Sequence, residues 1–348
     1  MGDQRTVRLA ALLANLRNQN RDVCRVGFTL RTNYKSSLGG LIRRSILSNS
    51  SLGTRRWSRV VLALAAYSAV AVTQCACAEE SGGKPSIYVK KNLVAWCIVP
   101  FDANRRTPTE RAKMLKRLGL TRLAYDWRDV NVPTFEGEIV ECKKHGIEFF
   151  AFWSWHGRME ELIKKHEIHP QIWQIAPSPP EQSRQAKVEA SAKSLAPLVE
   201  TTRRLGLKLG LYNHGDWGGE PGNLVAVCNY LRKHSSADHV GIVYNFHHGH
   251  AHIDDFDQAM SIMKPYLLCL NLNGMNRNES PKILPLGGGM YEDQMMQTVR
   301  DSGYSGPIGV IHHREEIDAE EGLRQNIDGL RSLLKSQREL AALETFED

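Results

Sequence analysis

Histidine is the residue type through which this chain could do chemistry. Thirteen occur in 348 residues, and most sit in a few short polar runs. His247, His248, His250 and His252 form one run, and His312, His313 and Arg314 another. His214 stands between Asn213 and Asp216, His156 follows Trp155, and Asp126 and Arg128 make a further polar pair. An imidazole can take up a proton, donate one or bind a transition metal near neutral pH. Such runs therefore suit proton transfer beside a carbonyl, or ligation of a soft divalent ion. A single histidine is more often a surface or satisfied core side chain; clustering is what makes the set informative. Trp96, Trp127, Trp153, Trp155 and Trp217 lie beside the same runs. Indole faces there suit stacking on sugar C–H surfaces.

Each polar run follows an apolar stretch of strand length. The stretches are 93–99, 123–127, 147–155, 171–176, 207–212, 240–244, 267–272 and 308–311. Between them lie helical patterns that open on capping residues and close on glycine, as from Thr107-Pro108 to Gly119 and from Ser183 to Gly206. Strict strand–helix alternation predicts an α/β chain and a parallel sheet. Eight such units over residues 91–335 predict a single-domain (β/α)₈ TIM barrel, with a doubly wound sheet as the alternative. No G-x-G-x-x-G follows the first strand, so no nucleotide cofactor is expected. In a barrel, every polar run falls at the C-terminal strand ends, where active sites are built. Asn271 and Asn273 join the set there. Gly287-Gly288-Gly289 reads as a turn that could also cradle a phosphate.

Charge separates the barrel from what precedes it. Residues 1–78 carry a net +10; taken from the +7 of the whole chain, this leaves −3 for residues 79–348. A basic face for nucleic acid is therefore not expected on the barrel. Residues 1–54 read as a disordered leader or an upstream misassigned start. Residues 55–78 resemble a signal peptide: Arg55, Arg56 and Arg59, an apolar run 60–72, then Ala76-Cys77-Ala78. The run is too short to span a bilayer, so export without a stable membrane span is the expectation. Residues 79–90 read as a linker and 336–348 as a polar tail. Cys97, Cys142, Cys228 and Cys269 lack metal-ligand spacing and read as buried thiols.

Four segments carry a family resemblance. Leu207-Lys-Leu-Gly-Leu-Tyr-Asn-His-Gly215 is similar to the L-x-L-E-N-H-G segment of xylose isomerase-like barrels. Val240-Gly-Ile-Val-Tyr-Asn-Phe-His-His248 resembles their V-G-x-x-x-D-x-x-H, Leu270-Asn-Leu-Asn273 their H-L-K, and Gly306–His312 their G-x-x-x-x-E strand. The resemblance implies a sugar isomerase, sugar epimerase, inosose-type dehydratase or DNA-repair endonuclease, most of which hold a divalent metal on Glu, Asp, His and Glu. In this sequence those positions carry Tyr212, Asn245, Asn271 and Ile311 or His312, so every anionic ligand is replaced. His248 matches the family histidine that orients substrate oxygens.

Two readings follow. In one, the barrel is an enzyme for a sugar or keto-sugar. His214, His248 and His312 would then hold zinc or manganese, or His214, His248, His156 and Asp126 would serve as acids and bases. In the other, the barrel has lost catalysis and binds sugar only. Either way Trp96, Trp155, Trp217, Asn213, Asn245, Asn271, Asn273 and His312 are the expected substrate contacts. The endonuclease branch needs metal-bound carboxylates and a basic surface, and residues 79–348 supply neither pattern.

Overall fold

The structure is a computed structural model that describes residues 86–347. The leader 1–54, the segment 55–78 and residues 79–85 lie outside the described residues. Eight parallel strands close into a barrel in chain order: β1 Leu93–Trp96, β2 Arg122–Asp126, β3 Glu148–Trp153, β4 Gln171–Ile175, β5 Leu209–Tyr212, β6 Val240–Asn245, β7 Leu267–Leu272 and β8 Ile308–Ile311. β1 pairs with β8 from Leu93–Ile308 to Trp96–Ile311, and that pairing completes the ring. Closure excludes the doubly wound sheet. The main connecting helices are α1 Pro108–Leu118, α2 Phe135–Lys144, α3 Arg158–His166, α4 Arg184–Arg204, α5 Pro221–Ser235, α6 Phe256–Met263, α7 Glu292–Asp301 and α8 Ala319–Ser336.

Local chemistry sets the helix ends. Thr107 and Glu110 form a reciprocal capping box at the start of α1, and Gly119 ends it in the left-handed conformation at φ 68°. That pattern satisfies orphan amides at one end and carbonyls at the other. Strand alternation then sorts side chains into two layers. Val94, Trp96, Ala124, Phe150, Trp173, Tyr212, Val243, Cys269 and Ile311 fill the barrel interior. Their chain neighbours, such as Leu93, Tyr125 and Leu270, pack outward against the helices. All four barrel cysteines are buried free thiols.

The barrel is larger at both ends than 91–335. Tyr88, assigned to the linker, is fully buried and donates its hydroxyl to the Met296 carbonyl at 2.7 Å. Ala342 and Phe346, assigned to the polar tail, are buried in the outer core. Isolated apolar residues carry too little periodicity to mark such closing contacts.

The Gly287–Gly289 turn is a packing device. Gly289 N–H donates to Glu292 at 2.7 Å, Gly288 N–H to the Pro285 carbonyl at 3.0 Å, and Glu292 also takes the Met275 amide at 2.9 Å. A Cβ on Gly329 of α8 would come within 1.8 Å of the Leu286 carbonyl oxygen. Gly329→Ala is therefore expected to cost about 1–3 kcal/mol. An unchanged urea midpoint for this variant would refute the close approach.

Candidate active site at the barrel mouth

The inner side chains at the strand ends define the mouth. Trp96, Asp126, Trp153, Ile175, Tyr212, Asn245, Asn271 and Ile311 occupy these positions, one per strand. Asp126 is the one carboxylate among them. Trp96 meets Tyr212 edge-on at 5.1 Å and Trp173 at 4.7 Å, which makes an aromatic floor. Gly210 of β5 makes room for that floor, since a Cβ there would sit 3.1 Å from the Trp173 ring.

Above the floor four imidazoles touch in series. Ring centroids are 4.5 Å apart for His214 and His248, 4.5 Å for His248 and His247, and 4.7 Å for His247 and His313. Burial drives the basicity of His247, His248 and His313 down, and neighbouring cations add to it. His248 falls to about 2, with His247, His214 and Lys282 contributing after burial. His247 falls to about 3 through burial, then His313 and Lys282. His313 falls to about 4 through burial, then Arg128. These three rings are neutral at pH 7, able to donate one N–H and accept at the other nitrogen. Asp126 moves the opposite way. Burial raises its carboxyl to about 7 against the opposing pull of Arg128.

Many buried polar atoms here have no hydrogen-bond partner in the protein. They are Trp96 Nε1, both oxygens of Asp126, Trp153 Nε1, His247 Nδ1, Asn271 Nδ2 and His313 Nδ1. Buried polar groups are paired in most proteins, so a set of uncommitted donors and acceptors at one mouth marks a place for a polar ligand. Asn271 is held over Gly309, where a Cβ would strike its Oδ1 at 1.6 Å.

Several expected site residues are committed elsewhere. Asn213 receives the Asn245 amide at 2.7 Å and donates to the Asn245 carbonyl at 3.1 Å, tying β5 to β6. Asn245 donates to the Tyr212 hydroxyl at 2.8 Å and receives the His247 amide at 3.1 Å. Asn273 donates to the Lys282 and Gly274 carbonyls. His250 clamps the same loop, with its nitrogens facing the Asn276 and Lys282 carbonyls at 2.7 and 3.2 Å. His252 lies between Glu220 and Asp255. His156 packs on Trp127 and Phe135 in the outer aromatic layer, away from the imidazole series. Trp155 and Trp217 are half-buried against the outer core, and Trp96 is only 2% exposed, so it floors the mouth without offering a face.

His312 is the main correction. It follows inward-facing Ile311, so strand alternation turns it outward onto α8, where a Cβ on Gly322 would lie 1.9 Å from its Nδ1. His313, at φ 52°, swings back to the mouth and takes the place expected of His312. Counting alternate residues from Gly309 would have found this. The three imidazoles expected to hold a metal, His214, His248 and His312, are likewise not brought together, because His312 faces α8. Tyr212 and Asn245 bond to each other, and Asn271 offers an amide. Among the described residues no three His, Cys, Asp or Glu side chains are grouped to hold an ion. The residues at the inner strand ends do not fit a carboxylate-bound divalent metal.

A family model for the xylose isomerase-like TIM barrel matches residues 112–333. No curated protein matches the chain. Among solved structures, the 3-keto-D-glucoside 4-epimerase YcjR from E. coli is similar with a TM-score of 0.50 at 17% identity, over 71% of this chain and 99% of its own. The IolI protein with a bound zinc atom gives 0.55 at 13% identity, over 70% and 98%. The probable 3-DHS dehydratase AsbF of petrobactin synthesis from Bacillus anthracis gives 0.53 at 13%, over 69% and 98%. With the barrel closed in chain order and the family match covering well over half of its length, this chain belongs to the xylose isomerase-like TIM barrel family.

Proposed function

We propose that the mouth binds a sugar or keto-sugar and moves a proton next to its carbonyl, as an isomerase, epimerase or related lyase. The uncommitted polar atoms around Asp126, His247, Asn271 and His313 carry this reading, because together they offer both donors and acceptors to a polyol. Isomerisation, epimerisation and β-elimination share a first step. A C–H bond beside the carbonyl breaks, a base takes the proton, and the electron pair moves onto the carbonyl oxygen. Asp126, titrating near neutrality, suits the base. A neutral imidazole from His248 or His313 suits the donor that stabilises the oxygen, since it supplies an N–H without being a strong acid. The fold is shared with proteins named as a keto-glucoside epimerase and a dehydratase, which is in keeping with this class.

A second reading, sugar binding without turnover, draws on the Tyr212–Asn245–Asn213 hydrogen bonds, which fill the inner positions with groups committed to one another. His248→Ala separates the two. In the enzyme it should lower turnover of 3-keto-glucosides or ketohexoses about 100-fold or more. In a binding module it should only weaken sugar affinity, read by thermal shift. No change in either assay would remove His248 from the site. We also propose export, from the basic and apolar leader. Mature protein recovered outside the cytoplasm should begin near Glu79; uncleaved chain found only in the cytoplasm would overturn this.

A further inference from the structure

The mouth carries an arginine, Arg128, that forms no ion pair among the described residues. Arg128 follows β2 by two residues, on the same inner side as Asp126. Its guanidinium lies 5.5 Å from the Phe101 ring centroid and 5.4 Å from that of Trp153. Phe101 in turn meets His313 at 4.0 Å, so this stack is part of the imidazole wall. One nitrogen donates to the Trp127 carbonyl at 2.8 Å. Among the described residues no carboxylate comes within ion-pair distance of Arg128. Other cations nearby are committed: Lys282 pairs with Glu279 at 2.8 Å, Arg277 with Asp254, and Arg314 donates to Gln325 at 2.7 Å. Arg128 is exposed, and two ring contacts and one carbonyl bond give its guanidinium a preferred position at the mouth. Its remaining N–H groups form the fork that recognises a planar oxyanion.

We infer that Arg128 anchors a carboxylate, and that the sugar taken at this mouth is a sugar acid such as a uronate. The inference rests on the sugar reading and narrows it. A phosphate is disfavoured because the glycine turn offers no free cradle: the Gly288, Gly289 and Met290 amides are already bonded. Asp126 weakens the local positive field less than an ordinary aspartate would, since burial keeps part of it protonated at neutral pH.

The test is calorimetric titration of the full chain with D-glucose, D-galactose and D-mannose, with their uronates, and with D-glucose 6-phosphate. At least one uronate should bind about tenfold tighter than its neutral partner, as one charged hydrogen-bonded contact provides. Arg128→Gln should erase that preference, bringing each uronate to the affinity of its neutral partner, and Arg128→Lys should keep part of it. Uronates that gain nothing over neutral sugars would overturn the carboxylate anchor and leave the sugar reading intact. A preference that survives Arg128→Gln, or tighter binding of the phosphate, would also overturn it. Failure of every neutral and acidic sugar to bind would sink both.

Discussion

Asp126→Asn is expected to remove turnover and to stabilise the fold at the same time. As the base, Asp126 acts in its ionised form, so activity should rise with pH through about 7 in the wild type. Asparagine keeps the shape and cannot accept the proton, which should lower kcat about 10²- to 10⁴-fold. The stability effect follows from the same burial. Below pH about 4 the carboxyl is protonated in both folded and unfolded chains. From about 4 to 7 the folded state keeps a proton that the unfolded state has released, so stability falls as pH rises. Above 7 the loss is complete, on the order of a few kcal/mol for a shift of this size. Asp126→Asn should therefore melt higher than wild type at pH 8 and at nearly the same temperature at pH 4. Such an exchange of stability for activity is what a buried ionising group at a functional site gives. Wild-type turnover in the variant, or a melting difference independent of pH, would show that Asp126 is neither the base nor an ionising buried group.

The second large effect lies beneath the mouth. Arg111 of α1 and Glu138 of α2 form a buried ion pair at 2.7 Å, each less than 5% exposed in its side chain. Arg111 also donates to the Arg106 carbonyl at 2.7 Å, and Arg106 is held by Asp102 and Asp318. The first two helices are thereby fastened to the loop that enters α8. Arg111→Met leaves the Glu138 charge buried and unpaired, at a cost of about 3–5 kcal/mol. Against a total of about 5–15 kcal/mol this is severe, and roughly 10 °C in Tm is expected. The double variant Arg111→Met, Glu138→Leu should recover most of the loss, because it is the stranded charge that is costly. A double variant no more stable than the single one would mean that packing, and not charge, is what Arg111 supplies. Arg111 also lowers the Asp126 pKa. Its removal should shift the rise in activity to higher pH.

The barrel was legible because its signals are local. Strand-length apolar runs, the Thr107 cap, and the glycines at 119, 146 and 206 each act within a few residues, and helices and strands formed where they directed. Strand ends moved by one to three residues, most at β1, which stops at Trp96 instead of 99. The last inner residue of a strand depends on its neighbours in the sheet, which local pattern does not contain. Tyr88 and Phe346 show the same limit at the barrel's ends: both join the outer core, and Tyr88 bonds a carbonyl 208 residues away.

The sequence by itself determined that histidines, tryptophans and Asp126 gather at the C-terminal strand ends, because chain order and strand direction alone decide that. Only the tertiary structure decided which of them meet. The parity of β8 turned His312 under α8 and brought His313 inward. Inter-strand hydrogen bonds consumed Asn213 and Asn245, and aromatic packing drew His156 into the outer layer. Burial by the whole barrel moved Asp126 toward neutrality and the imidazoles of His247, His248 and His313 away from it. Side-chain direction and desolvation are properties of a closed, packed surface, so residue type and spacing could nominate the participants but could not assemble the site.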